Sequence, residues 1–188
     1  LSVSCENWKR PVYEVKLLLS LFEESINKYV QDLHDNNVIL SFIGDMTQFS
    51  NKLLSSINDS EKLTKSNTGL KLNFAINYGG KWDIVNSFNE FLKSRKYLSP
   101  SKKITPKDLE PHLSLGGSSV DLLIRTAGHQ RISNFMLWQH AYTELYFTDC
   151  LWPDFDEKEL DLAIKHYFKT SRKFGSLVQT NQSIKEDA

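Results

Sequence analysis

Several features that would assign the chain to a specialised class are absent from its sequence. There are only two cysteines, Cys5 and Cys150, and neither a Cys-x-x-Cys motif nor a histidine pair at metal-ligand spacing occurs. This excludes a disulfide-rich scaffold and the common structural zinc sites, and it fits a reducing compartment. No apolar run approaches the ~20 residues that span a bilayer, and no segment has the pattern of a signal peptide. We therefore expect a soluble cytoplasmic protein.

An excess of charge of either sign is also absent. Lys plus Arg and Asp plus Glu number 23 each, so the formal net charge is zero. A general nucleic-acid binder carries a basic surplus, and this class is therefore disfavoured. The glycine-rich nucleotide loops GxGxxG and GxxxxGK[ST] do not occur either. A local anion site remains compatible with these numbers, because local charge is independent of the total.

Helical and strand-like patterns alternate along the 188 residues, a length suited to one domain. Short apolar runs predict strands at 38–45, 70–80, 119–125 and 144–149. The intervening patterns are helical, with a turn expected at Asn58–Glu61 and a last helix at 156–174. The alternation predicts a single α/β domain with a mostly parallel central sheet flanked by helices on both faces. We place it at residues 1–175 and expect the polar residues 176–188 to form a flexible tail.

Two arginines follow the third of these predicted strands. Arg125 ends the strand, and Arg131 lies in the loop that contains Gly128. Ser133 precedes the apolar segment 134–142, which predicts a helix with Ser133 as its N-cap. A helix N-terminus and two guanidinium groups would together bind a phosphate or diphosphate. The alternative is that both arginines pair with surface carboxylates and that Ser133 only caps.

Glu144 opens an apolar strand, where an unpaired carboxylate would be costly to bury. An arginine across the sheet would satisfy it in a purely structural role. A Mg²⁺ ion bridging Glu144 to a phosphate would satisfy it in a functional role. The residues alone leave both readings open.

A second polar cluster lies between a strand end and a helix start near the N-terminus. Asn7, Trp8 and Arg10 should lie at the same edge of the sheet as Arg125. Asn7 could cap the helix and Trp8 could cover the core. The helix that follows, Glu14–Leu33, has one apolar face, which is either core or one wall of a hydrophobic cleft. Together these features suggest a ligand with a diphosphate head and a long apolar tail.

Long motifs of this chain resemble those of the bacterial cis-prenyltransferases, and most of all their undecaprenyl diphosphate synthases, also called isoprenyl transferases. The resemblance covers nearly the whole chain. It rests on these segments, in this order: ENWKRP, IGD, LNFAINYGGKWDIV, DLLIRTAGHQRISNFMLWQHAYTELYFTDCLWPDF and RKFG.

The resemblance implies a reaction, a cofactor and a cellular setting. Isopentenyl diphosphate would condense with an allylic, farnesyl-type diphosphate, with Mg²⁺ assisting, and a cis-polyprenyl chain would grow in a hydrophobic tunnel. The product would partition into the membrane and carry glycans for cell-wall biosynthesis. A homodimer in the cytoplasm, or peripheral to the inner membrane, is implied as well.

The resemblance also assigns roles by position. Arg125, Arg131 and Ser133 would hold the diphosphate of isopentenyl diphosphate, and Glu144 would be a Mg²⁺ ligand. Asn7 would assist proton removal. The further substrate contacts would be Ser4, Cys5, Glu6, Trp8 and Arg10. The tunnel-lining residues would be Leu18, Leu21, Phe22 and Ile26.

The chain departs from the family pattern in two respects. The Asp-Gly-Asn-Gly-Arg-Trp loop of the family does not occur in this sequence; its aspartate binds Mg²⁺ in the family. The chain starts at Leu1, and its first residues have the pattern of the end of a strand. We therefore expect an N-terminally truncated chain that is inactive by itself. The alternative is a noncatalytic partner subunit or an inactive remnant of the same fold. In addition, His129 stands where the family usually has Glu.

Overall fold

A computed structural model describes residues 3–94 and 103–170. In chain order the helices and strands are β1 Val3–Ser4, a 3₁₀ turn Cys5–Lys9, α1 Val12–Asp35, β2 Ile39–Ile43, α2 Asn51–Thr64, β3 Lys71–Tyr78, α3 Gly80–Ser94, α4 Pro106–Leu109, a 3₁₀ turn Glu110–His112, β4 Leu122–Arg125, β5 Glu144–Phe147, a 3₁₀ turn Trp152–Asp154 and α5 Glu157–Lys169. The predicted tail at 176–188 lies outside the described residues, as does the part of the last predicted helix beyond residue 170.

The chain divides into two compact units. The first unit comprises Leu1–Ser118 and Ile132–Trp138, and the second comprises Ser119–Arg131 and Gln139–Ala188. A three-stranded sheet of order β1-β3-β2 belongs to the first unit, and the pair β4-β5 belongs to the second. Every strand pair in the described part of the chain is parallel, which confirms the predicted α/β class. None of the helices in that part has the length and apolar character of a membrane span.

The core of the first unit forms where one face of α1 packs on β2 and β3. Phe22 meets Phe42 of β2 and Phe74 of β3 edge-on, with ring centroids 6.2 Å and 5.9 Å apart. Phe42 and Phe74 are register partners, and their rings stack with centroids 5.5 Å apart. Ile26 lies one helical turn beyond Phe22 and is buried on the same face. The other buried members of this cluster are Val38, Leu40, Phe49, Leu53, Ile57 and Ile76.

Helix α2 runs without a break through Asn58–Glu61, where the sequence predicted a turn. The prediction was wrong because α2 has a buried face that continues through this segment, formed by Leu53, Ile57, Ser60 and Thr64. Ser60 Oγ donates to the carbonyl of Ser56 at 2.6 Å, and Thr64 Oγ1 donates to the carbonyl of Ser60 at 2.9 Å. These bonds satisfy the two hydroxyl groups that the buried face carries.

The segment after Arg131 is not a helix, and Ser133 is not an N-cap. Residues 133–142 form a series of turns, and φ is positive at Ser133 (46°), Asn134 (57°) and Met136 (46°). A right-handed helix requires negative φ at every residue. The carbonyl of Asn134 instead accepts the N–H of Gly80 at 2.6 Å, and its Oδ1 accepts the N–H of Lys81 at 2.9 Å. Asn134 therefore caps α3, and the predicted helix N-terminus beside the arginines does not exist.

The described part of the second unit contains β4, β5 and α5. Helix α5 begins after Asp156, whose carboxylate accepts two N–H groups of the first turn at 3.0 Å each. The imidazole of His166 lies 5.3 Å from the ring of Tyr146 on β5, and Ala163 is fully buried. The inward face of α5 thus covers one face of the β4–β5 pair.

A buried carboxylate joins the start of α3 to the loop after α4. Asp83 is 1% exposed; its Oδ2 accepts the hydroxyl of Tyr78 at 2.8 Å. Its Oδ1 accepts the N–H and the hydroxyl of Ser114, at 3.0 Å and 2.7 Å. Burial, and then the hydrogen bond to Asp83, raises the pKa of Tyr78, so this phenol remains a donor. The three bonds satisfy donors that would otherwise be buried without a partner.

We expect the substitution Asp83→Ala to lower the free energy of unfolding by about 3 kcal/mol, because it leaves several buried donors unpaired. Urea unfolding followed by circular dichroism measures the change. Ser114→Ala is the matched control: it removes one hydroxyl and leaves the N–H bond, so it should cost about 1 kcal/mol. Equal stability of the Asp83→Ala variant and the unmodified protein would contradict this reading of the network.

Candidate functional site

The loop that follows β1 is closed on itself by side-chain hydrogen bonds. The N–H of Ser4 donates to Oδ1 of Asn7 at 2.7 Å, and the N–H of Glu6 donates to Oγ of Ser4 at 3.1 Å. Asn7 therefore stabilises a 3₁₀ turn, with its carboxamide oxygen held by Ser4. The predicted role of Asn7 in proton removal stays a prediction.

Glu6 is fixed by two donors at this loop. The hydroxyl of Ser4 donates to its Oε2, and Nδ2 of Asn134 donates to its Oε1 at 2.7 Å. The hydrogen bond from Ser4, with that from Asn134, lowers the pKa of Glu6 to about 2. Burial, with the neighbouring Glu6, raises the pKa of the Cys5 thiol. At neutral pH the loop therefore presents a carboxylate next to a neutral thiol.

Trp8 and Arg10 end this loop in different surroundings. The indole Nε1 of Trp8 donates to Oδ1 of Asn77 at 2.6 Å, and the ring packs against the hydrophobic core. Arg10 is exposed and lies 3.9 Å from a carboxylate oxygen of Glu14, an exposed pair that contributes little to stability. Trp8 is thus held rigidly, whereas the guanidinium of Arg10 keeps its reach toward solvent.

A cavity of about 370 Å³ lies beside the first turns of α1, and we call it the α1 cavity. Trp8, the cationic side chains of Arg10 and Lys16 and the carboxylate of Glu23 contribute to its lining. Its aliphatic lining is formed by Val12, Val15, Leu19 and Leu53. A pocket that combines apolar walls with a few charged groups is the usual form of a small-molecule site.

The four residues predicted to line a tunnel do not line the α1 cavity. Phe22 and Ile26 belong to the core, Leu18 is half-buried, and Leu21 is 50% exposed. The α1 cavity uses a neighbouring stripe of the helix, formed by Val12, Val15 and Leu19. Their i, i+3, i+7 spacing was visible in the sequence. The more regular apolar stripe with Leu18, Leu21, Phe22 and Ile26 was chosen instead.

The second unit brings Arg125 and Arg131 together at the carboxyl end of β4. The guanidinium of Arg125 donates to the backbone carbonyl of Arg131. Desolvation, and then the charge of Arg131, lowers the pKa of Arg125. The N–H of Gly128 donates to the carbonyl of Thr148 at 2.9 Å, which anchors the connecting loop beyond the end of β5. Two cations held next to each other would be stabilised by a bound anion.

Glu144 lies away from these arginines. Glu144 pairs with Leu122, whereas Arg125 pairs with Phe147. Glu144 and Arg125 therefore lie at opposite ends of the β4–β5 pair, roughly 10 Å apart along the strands. The offset of three residues also places Glu144 on the face of Tyr146, which α5 covers, and Arg125 on the other face. The register therefore separates Glu144 from the arginine pair within this unit. Its assignment as a metal ligand stays a prediction.

The described side chains do not by themselves form a complete metal site. Within residues 3–94 and 103–170, no group of three or more His, Cys, Asp and Glu side chains could hold a metal. Mg²⁺ is commonly bound by one or two carboxylates together with substrate phosphates. Because Glu144 lies at the other end of the strand pair from Arg125 and Arg131, we assign no ion shared by Glu144 and an anion bound to these arginines.

Ser133 belongs to the first unit, whereas the two arginines belong to the second. Its side chain is exposed, and its backbone has a φ of 46°. The structure thus brings together Ser4, Glu6, Asn7 and Trp8 in one loop, and Arg125 with Arg131 in another. Sequence reasoning missed Asn77 and Asn134, the partners that hold Trp8 and Glu6.

Comparison with known proteins gives consistent matches. A family model described as a putative undecaprenyl diphosphate synthase matches residues 1–175. An isoprenyl transferase of Neisseria gonorrhoeae is 47% identical over 173 residues, which is 92% of this chain and 68% of that protein. A ditrans,polycis-undecaprenyl-diphosphate synthase, (2E,6E)-farnesyl-diphosphate specific, of Yersinia pseudotuberculosis is 48% identical over 175 residues, covering 92% of this chain and 69% of that protein.

Two solved structures share the fold. The probable undecaprenyl diphosphate synthase of Campylobacter jejuni superposes with a TM-score of 0.84 at 31% identity, covering 93% of this chain and 81% of that one. Lavandulyl diphosphate synthase from Lavandula x intermedia, in complex with dimethylallyl diphosphate, gives a TM-score of 0.86 at 35% identity, covering 93% and 77%. These likenesses confirm the predicted single-domain α/β fold.

We expect Ser4→Ala to raise the pKa of Glu6 from about 2 toward its usual 4.5, because the main donor to the carboxylate is lost. A carboxyl group with a lowered pKa stabilises the folded state above pH 4.5, and this contribution disappears as the pH falls toward 2. The variant should lose less stability over that range. A carbon-detected NMR titration of the Glu6 carboxyl measures the shift directly.

The control for this titration is Ser20→Ala, which removes a hydroxyl 3.5 Å from the carboxylate of Glu24 on α1. It should leave the Glu6 titration unchanged. An unaltered Glu6 pKa in the Ser4→Ala variant would show that other donors account for the low value.

Proposed function

Because this chain belongs to the undecaprenyl diphosphate synthase family, we propose that it condenses isopentenyl diphosphate with an allylic diphosphate of the farnesyl type. The product would be a long-chain cis-polyprenyl diphosphate. The observation that carries the proposal most directly is the cationic pair Arg125 and Arg131 at the carboxyl end of β4. The family membership supplies the reaction class for that anion site.

In this proposal Arg125 and Arg131 bind the diphosphate of isopentenyl diphosphate. Guanidinium groups present planar pairs of donors that match phosphate oxygens, and they stay charged under all physiological conditions. An anion bound between or beside them lowers their mutual repulsion, which favours a multiply charged ligand. Ser133 remains a proposed third contact, now as an exposed hydroxyl rather than as a helix cap.

The chemical step joins the two substrates head to tail. The alkene of isopentenyl diphosphate forms a bond to the allylic carbon while the allylic C–O bond breaks and the diphosphate leaves with the electron pair. The attack leaves a tertiary cation at C3 of the isopentenyl unit. A proton is then lost from C2, the carbon between C3 and the CH2 that bears the diphosphate, which gives the cis double bond. We assign to Asn7 the orientation of groups for this proton loss, because its carboxamide is already held in place by Ser4.

The allylic substrate would lie against α1. The α1 cavity combines aliphatic walls with the cations Arg10 and Lys16, and the one carboxylate of its lining, Glu23, is paired with Lys52. This lining suits a molecule with an anionic head and an apolar tail. Each buried methylene contributes about 0.8 kcal/mol, so a prenyl tail gives substantial binding. Leu18 and Leu21 still face outward enough to line a longer tunnel, whereas Phe22 and Ile26 are already used in the core.

Magnesium would supply charge neutralisation for the leaving diphosphate. Since Glu144 and the arginine pair lie at opposite ends of β4–β5, no step is assigned to a metal held between them. Glu144 remains the proposed ligand. Assembly as a homodimer, a cytoplasmic or membrane-peripheral location and a role in cell-wall carrier synthesis are proposed on the family alone.

The test of the proposed function is condensation by the native full-length protein. Labelled isopentenyl diphosphate is supplied with farnesyl diphosphate, and the products are identified by mass spectrometry. Long-chain polyprenyl diphosphates should appear. Absence of such products over a range of Mg²⁺ and protein concentrations would refute the synthase and favour a noncatalytic subunit.

We expect Arg125→Ala in the native protein to raise the KM for isopentenyl diphosphate about 30-fold, which corresponds to about 2 kcal/mol for a charge-assisted contact. The KM for the allylic substrate should change much less. Lys165→Ala, which removes an exposed cation of α5, is the control and should leave both values unchanged. An unchanged isopentenyl KM in the Arg125→Ala variant would overturn the assignment of the arginine pair.

A further inference from the structure

We propose that Asn77 is a positioning residue for the allylic half of the site, because it fixes the indole of Trp8 beside the α1 cavity. This inference rests on the proposed function. Asn77 lies in the buried part of β3 and is 3% exposed. It is not among the residues that line the α1 cavity. Its action on a substrate would therefore run through Trp8.

The carboxamide of Asn77 can adopt only one orientation. Its Oδ1 accepts the indole N–H of Trp8 at 2.6 Å, and its Nδ2 donates to the carbonyl of Asp45 at 2.6 Å. An indole N–H can only donate, and a backbone carbonyl can only accept. Rotating the carboxamide by half a turn would place donor against donor and acceptor against acceptor. The two partners together therefore define where the indole N–H must point.

The backbone around Asn77 reinforces this geometry. Asn77 has a φ of 48°, a left-handed conformation that asparagine tolerates better than most residues. The N–H of Asp45 donates to the carbonyl of Asn77 at 3.1 Å, so the two residues are joined by a backbone bond as well as by the side-chain bond. Gly44, with a φ of 128°, permits the close approach, because a Cβ there would overlap the carbonyl oxygen of Ile76.

Trp8 needs this anchor because of its place in the chain. It lies in the short 3₁₀ turn Cys5–Lys9, whose own hydrogen bonds fix Ser4, Glu6 and Asn7 but not the indole. Packing against the core restrains the ring plane, and the bond to Asn77 selects the edge that faces inward. Trp8 also helps to line the α1 cavity, so the bond to Asn77 fixes an indole that forms part of the cavity wall.

Three variants of the native protein separate these contributions. Asn77→Gly keeps the left-handed backbone and removes both side-chain bonds. Asn77→Asp keeps an acceptor for the indole N–H but sets a carboxylate oxygen against the carbonyl of Asp45. Trp8→Phe removes the indole donor itself. Asn37→Gly is the matched control, since Asn37 is also left-handed (φ 59°) and bonds Thr68 through its side chain, at the amino end of β2.

The expected result is a selective effect on the allylic substrate. Asn77→Gly should raise the allylic KM about 10-fold with a smaller change in the isopentenyl KM, and Asn77→Asp should lie closer to the unmodified protein. In the double variant with Trp8→Phe, Asn77→Gly should add little further loss, because the two residues act through one bond. Asn37→Gly should leave both KM values unchanged.

A second readout does not depend on activity. The protein labelled with 5-fluorotryptophan has four fluorine resonances, one for each tryptophan. The Trp8 resonance is the one that Trp8→Phe removes. Asn77→Gly should shift or broaden this resonance alone, whereas Asn77→Asp should disturb it less and Asn37→Gly should not disturb it.

Either of two results would overturn the inference. The first is a Trp8 resonance that does not shift or broaden in the Asn77→Gly variant. The second is a loss of activity in that variant that affects the KM values of both substrates equally and that Asn37→Gly reproduces. The second result would indicate general destabilisation. Failure of the proposed function looks different. In that case the unmodified protein makes no polyprenyl product, while the fluorine spectra still show whether Asn77 orients Trp8.

Discussion

The hydrogen-bonding demand of one loop shapes the first unit. The loop after β1, Cys5–Arg10, lies beyond the ends of parallel strands, where backbone and side-chain polar groups have no ladder to join. Two asparagines in left-handed conformations meet this demand: Asn77 binds Trp8, and Asn134 binds Glu6. Each also serves a second element, the turn at Asp45 or the start of α3. The loop, the strand ends and the α3 terminus therefore form one connected polar network.

The elements that the sequence predicted correctly are those in which local pattern and tertiary packing agree. Helix α1 and strands β2 and β3 have strong apolar periodicity, and their aromatic residues meet in the core. The segment after Arg131 shows the opposite case. Its apolar composition is typical of a helix. However, the carbonyl and the carboxamide of Asn134 accept hydrogen bonds from the start of α3, which is distant in the sequence. Local propensity contains no information about such distant hydrogen bonds, so the prediction failed there.

The candidate site divides in the same way. The position of Arg125 at a strand end followed from the strand pattern, and the structure places Arg131 beside it. The distance between Glu144 and the arginine pair could not be predicted. It depends on the register of β4 against β5, which cannot be read from the sequence. The α1 cavity was missed for a related reason. One helix can present adjacent apolar stripes, and only the packing of Phe22 and Ile26 shows which stripe the core has taken.

The cap of α3 has a consequence for how the chain can fold during synthesis. Gly80 and Lys81 depend on Asn134, and the first unit includes Ile132–Trp138 but not the intervening Ser119–Arg131. A nascent chain that has emerged only through α4 lacks Asn134, the residue that caps the N-terminal end of α3. Domains fold as units once their residues have left the ribosome. The first unit can therefore reach its final form only after the strand of the second unit has been translated. The order of the segments along the chain thus makes completion of the first unit wait for the synthesis of part of the second.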